Sequence, residues 1–190
     1  MPKRLKEAEG VAFAREKEEW IRKHLDARGA DVAVGLGASF PLGGRMITVV
    51  PGTGRRVVLG GDTVAVPGQP DRVSARLAAH LKELARDRLA GACDDYAAVL
   101  GKPYARITLR DTRSRWGSCT SDGGLMFSWR LILTPPEVLD YVAAHEVAHL
   151  AQMNHSPAFW AEVERIYGPY DDARGWLRKH GSDLHRYRFS

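Results

Sequence analysis

The stretch HEVAHLAQMNHSPAFW, residues 145–160, places two histidines four positions apart, a glutamate directly after the first, and a third histidine six residues beyond the second. On a helix turning about 100° per residue, His145 and His149 share a face and their imidazoles can reach a common point. From Tyr141 to Met153 the only formal charge is Glu146, and the surrounding alanines and valines predict a helix buried nearly all round. A lone buried carboxylate beside two imidazoles is costly, and a divalent cation removes the anomaly. Zinc suits imidazole nitrogen in tetrahedral geometry and keeps one position open for water.

Two histidines are one ligand short, and His155 is the third candidate. On a continued helix it would stand about 240° away from the ligand face. The helix must therefore end first. Asn154 tolerates the left-handed conformation that stops helices, and Ser156-Pro157 is a helix start, so the chain can reverse and aim His155 at the metal. Glu146, about 100° round from His145, falls beside the open position and is placed as general base towards metal-bound water. Tyr141 lies one turn before His145 and is a candidate oxyanion donor, though a packing tyrosine reads the same. The remaining histidines, His24, His80, His180 and His185, have no partner spacing and read as surface or packing residues.

The elements that must position this group follow from periodicity. Residues 6–28 repeat Val11, Phe13, Ala14, Trp20, Ile21 and Leu25 at helical spacing and stop at Gly29. From 31 to 70 short valine-rich runs are cut by Gly43-Gly44 and Gly60-Gly61, the pattern of β-hairpins. Helical periodicity returns over 74–101. Strand-like ARITLR (105–110) and LMFSW (125–129) follow, then a helix from Pro135-Pro136 to about Met153, a short helix capped by Ser156, and a last helical piece near 169–180. There is no βαβ alternation and no glycine-rich phosphate fingerprint, so the class is α+β with a small, mainly antiparallel sheet.

The composition is that of an ordinary globular chain, 44% hydrophobic and 27% charged, with no apolar run long enough to span a membrane. The charged N-terminus has no signal-peptide pattern, which predicts a cytoplasmic protein and an unbridged Cys93 and Cys119. The net charge of +5 is concentrated around Arg106, Arg110, Arg113, Arg115 and Arg130. That run leaves two alternatives to peptide hydrolysis: a metal-dependent hydrolase of nucleotides or phosphoanhydrides, and a non-catalytic zinc-stabilised module binding nucleic acid or protein.

RDTRSRWGSC (110–119), GGLMFSWRLIL, PPEVLDYVAAHEVAHL and NHSPAFW together resemble the YgjP-like zinc metallopeptidase family, related to the SprT-like and WLM metallopeptidases. The resemblance is dense over roughly 104–190. It implies a zincin-type site in which His145, His149 and His155 match the ligands of a zinc ion and Glu146 the catalytic acid. It also implies a small sheet beside the active-site helix, and a peptide or unfolded protein as substrate. On this reading residues 1–30 form an N-terminal helix, 31–70 a hairpin-rich segment and 71–190 the zincin-like domain, all within one compact unit. The third-ligand spacing also mimics the metzincin pattern, but Gln152 stands where that pattern demands glycine. Within RWGSC, Gly117 lets the backbone approach a neighbour closely and Trp116 offers a packing face. Arg115, Trp116 and Gly117 are thus candidates for substrate contact or for support of the site.

Overall fold

A computed structural model describes Val11, Phe13, Arg15–Glu18 and Gly29–Phe189. The chain divides into two units, Met1–Asp31 and Val32–Ser190. In the first, Val11, Phe13, Arg15, Glu16 and Glu18 are helical, and the Lys17 N–H donates to the Phe13 carbonyl at 3.1 Å. The rest of the helix expected over 6–28, with Trp20, Ile21 and Leu25, lies outside the described residues.

In the second unit the two glycine pairs make the turns their conformational freedom allows. Gly43 and Gly44 (φ 56° and 76°) join β2 (Ser39–Leu42) to β3 (Arg45–Gly52) as an antiparallel hairpin. Gly61 (φ 52°) turns β4 (Val58–Gly60) into β5 (Thr63–Pro67) in the same way. The two hairpins are fused by a parallel pairing of β3 with β5, giving the order β2-β3-β5-β4. A second sheet, β6-β8-β7, joins β6 (Arg106–Arg110) parallel to β8 (Gly124–Ser128) and β7 (Gly117–Cys119) antiparallel to β8. The short strands β1 (Val32–Ala33) and β9 (Tyr187–Arg188) pair in parallel.

The α+β class holds, but the expected mainly antiparallel sheet is corrected. Among the described residues the strands form three small sheets, in which three pairings are antiparallel and three parallel. Turn signals identify a hairpin because its two strands are adjacent in sequence. The parallel pairs join strands that are not consecutive, and no local signal marks them.

The long helix α1 (Pro70–Leu100) starts with Pro70 in its first turn and ends on Gly101 in the left-handed region, whose N–H returns to the carbonyls of Ala97 and Ala98. Of its buried positions, all but Ala78 recur every four residues: Val73, Leu77, Leu81, Ala85, Leu89, Cys93 and Ala97. Each step of four advances about 40°, so the stripe winds roughly 240° around the helix over its length. A winding stripe lets one helix pack against β5, the 3-10 turn Trp129–Leu133, β6 and the helices α2 (Pro136–Ala148) and α3 (Pro157–Tyr167). A last helix, α4 (Asp171–His180), lies against α2. No helix among the described residues is long and apolar enough to cross a membrane.

Candidate active site

Helix α2 is the buried element its composition predicts: Val138, Leu139, Tyr141, Val142, Ala143, Ala144, Glu146, Val147 and Ala148 are all buried. It stops earlier than expected, at Ala148 with His149 as its cap, and not near Met153. The break is also made differently. No residue other than glycine has positive φ among the described residues, so Asn154 is not left-handed. The chain instead tightens, with Leu150 N–H bonded to Val147 O and Ala151 N–H to Ala148 O, bonds of 3-10 type that often close a helix. Asn154 then acts through its side chain, its Oδ1 accepting from the Ser156 N–H at 3.2 Å. Ser156 caps α3, its Oγ accepting from Phe159 N–H, with Pro157 in the first turn.

The reversal brings the three imidazoles together. Their ligand atoms all lie within 4.8 Å of one another, the one such group of histidine, cysteine or acidic side chains that could hold a metal among the described residues. His145 Nε2 and His155 Nε2 face each other at 3.2 Å. The His149 ring packs on Phe159, centroids 4.4 Å apart. Its Nδ1 lies 3.0 Å from the Gln152 carbonyl, an acceptor only, so Nδ1 carries the proton and Nε2 keeps its lone pair. Burial first, then the neighbouring His149 and His155 rings and the Arg174 guanidinium, hold His145 down at about 3. Burial likewise lowers His149. Both rings are neutral donors at ordinary pH, the state a cation needs.

Glu146 is 5% exposed, and no described side chain hydrogen-bonds its carboxylate. Burial pushes its carboxyl up to about 8 against the opposing pull of Arg115. The carboxylate lies against the backbone of Gly117: a Cβ built there would stand 2.5 Å from Glu146 Oε1 and 2.6 Å from its Cγ. The close neighbour that the glycine was expected to admit is thus the glutamate of the HExxH helix. A cavity of about 450 Å³ opens over His145, Glu146, His149 and His155 and is bordered by Arg115, Gly117 and Ser118.

Trp116 does not enter that cavity's lining. It stacks on His185, ring centroids 5.4 Å apart, and packs over Gly181, where a Cβ would come within 3.1 Å of the indole. It fastens one end of β7 to the C-terminal segment and so holds Gly117 in place. Tyr141 is buried, with its ring against His145 (5.9 Å), Tyr167 and Tyr170, and burial raises its hydroxyl to about 12. Cys93 and Cys119 are both free.

One residue of the arginine run has a role its spacing did not signal. Arg130 is 6% exposed. It grips Asp111 through two hydrogen bonds (2.6 and 3.1 Å) and donates from Nη1 to the carbonyls of Leu184 and Tyr187. It is an internal clamp between β6, the turn after β8 and the C-terminal strand, where the sequence suggested an anion-facing charge. Its place directly after the buried Trp129 was the available signal.

A buried HExxH helix, a helix-breaking turn and a third imidazole define the metallopeptidase class. The chain matches the YgjP-like metallopeptidase domain family over residues 1–180 and belongs to it. Among solved structures it is similar to the metallopeptidase zymogen abylysin of Pyrococcus abyssi, with 20% identity over 52% of this chain and 97% of that one, at a TM-score of 0.44. No curated protein matches the chain.

Proposed function

We propose that this chain is a zinc-dependent peptidase, with His145, His149 and His155 as metal ligands and Glu146 as general base. The observation that carries the reading is the 3.2 Å approach of His145 Nε2 to His155 Nε2 within a group of three imidazoles whose ligand atoms lie within 4.8 Å of one another. With Zn–N bonds of about 2.0–2.1 Å, tetrahedral coordination sets nitrogens about 3.3–3.4 Å apart, close to that spacing. Zinc held by these three residues would supply a water of lowered pKa and a Lewis acid for the substrate carbonyl.

The chain's own groups do the rest. The Gln152 carbonyl holds His149 in the tautomer that leaves Nε2 free, and Tyr141 packs the edge of His145. Glu146, held against Gly117 at the wall of the cavity, takes a proton from the attacking water and returns it to the departing amine. Arg115 borders the cavity as a donor towards the substrate backbone. Peptides and unfolded protein are the substrates this implies.

The test is a cleavage profile of wild type and Glu146→Gln against an unfolded-protein library. The variant should keep its metal and lose about 10²–10⁴-fold in kcat/KM, the range of general acid–base catalysis. Wild-type rates in Glu146→Gln would overturn the mechanism.

A further inference from the structure

Beside the site, on the outer face of the β6-β8-β7 sheet, lies a second cavity of about 460 Å³. It shares Ser114, Arg115 and Ser118 with the cavity over the histidines, so the two adjoin at these residues. Strand alternation builds its floor. Along β6, Arg106, Thr108 and Arg110 are exposed while Ile107 and Leu109 turn inward. Thr108 and Ser118 both pair with Met126 in register, so a hydroxyl, a thioether and a hydroxyl cross the sheet in one row. Arg106 crosses over Gly124, where a Cβ would meet its guanidinium at 3.2 Å, and pairs with Asp122 at 3.0 Å. Arg110 and Arg115 have no ion-pair partner among the described residues.

We infer that this groove is a specificity subsite for acidic side chains of the substrate, an inference that rests on the peptidase reading. Three guanidinium groups, of which only that of Arg106 is in an ion pair, line a groove beside the cavity over the histidines, and a carboxylate is the side chain they favour. From β7 to β6 the sheet is two strand spacings wide, about 9–10 Å, or roughly three residues of extended chain. The acidic residues therefore fall within about four positions of the scissile bond, on one side of it. A peptide is favoured over nucleic acid because no aromatic ring lines the groove for bases to stack on.

The experiment uses the zinc-loaded 190-residue chain and two fluorescent peptides identical except for three glutamates or three lysines beside a common cleavable sequence. In Glu146→Gln, anisotropy should give a Kd at least tenfold lower for the glutamate peptide, and adding Arg110→Glu should erase the difference. Equal binding of both peptides, or a preference that survives Arg110→Glu, overturns the inference. So does a single-stranded oligonucleotide that displaces the glutamate peptide at lower concentration than the unlabelled peptide itself. Wild-type cleavage separates the two levels: charge-blind cleavage sinks the subsite and leaves the peptidase, whereas charge-selective binding without any cleavage sinks the peptidase and leaves the groove.

Discussion

Glu146 occupies the space that a side chain at position 117 would fill, its Oε1 standing 2.5 Å from where the Gly117 Cβ would be. The conformation at Gly117 is not left-handed, so absence of a side chain, rather than backbone freedom, is what the position demands. The glutamate of the HExxH helix and the glycine of RWGSC are therefore one structural unit.

Gly117→Ala should push the Glu146 carboxylate out of line while leaving the three imidazoles in place. The expected outcome is retained metal, a loss of about 1–3 kcal/mol in stability from overpacking, and a fall in kcat with little change in KM. Metal analysis, thermal unfolding and steady-state kinetics on one preparation check all three. A fully active Gly117→Ala would show that Glu146 is not held there during turnover.

The Arg130 clamp should be felt in stability. Arg130→Ala leaves two carbonyls without their donor and the half-exposed Asp111 without its partner, a loss of about 1–3 kcal/mol, or roughly 2–12 °C in Tm for a chain of this size. Burial pushes the Asp111 carboxyl up, but the Arg130 guanidinium outweighs it and holds the folded value below the ordinary one. A group depressed in this way contributes stability above its unfolded pKa, near about 4, and loses it as pH falls through the folded value. Denaturant midpoints measured between pH 7 and pH 3 should therefore drop more steeply in wild type than in Arg130→Ala. Parallel curves would remove the ion pair from the account.

The two thiols should report burial. Cys93 is fully buried and pushed up to about 12, and Cys119, half-buried, to about 11, burial being the larger cause in both. With so little thiolate at pH 7.5, maleimide should label Cys119 slowly and Cys93 only once the chain unfolds. Mass spectrometry of a labelling time course reads this directly, and early labelling of Cys93 would contradict the packing of α1.

The site was more legible in the sequence than the fold around it. A four-residue spacing on a helix and a Ser-Pro helix start are local signals, and His145, His149 and His155 meet as those signals require. The end of α2 was misplaced because its stop is made by tightened hydrogen bonds at Leu150 and Ala151, residues with no stop character. Hairpins at Gly43-Gly44 and Gly60-Gly61 were readable, but the parallel pairings of β3 with β5 and β6 with β8 join strands that only tertiary packing brings together. The residue type at 117 announced a close approach without naming the partner, and Arg130 looked like its exposed neighbours until its carbonyl acceptors at Leu184 and Tyr187 came into place.

The central claim is tested most directly by metal content. After purification and dialysis against zinc-free buffer, wild type should retain about one zinc per chain, and His155→Ala should retain far less while keeping wild-type far-UV circular dichroism. Equal zinc in wild type and His155→Ala, or none in either after zinc is supplied, would contradict a three-histidine metal centre.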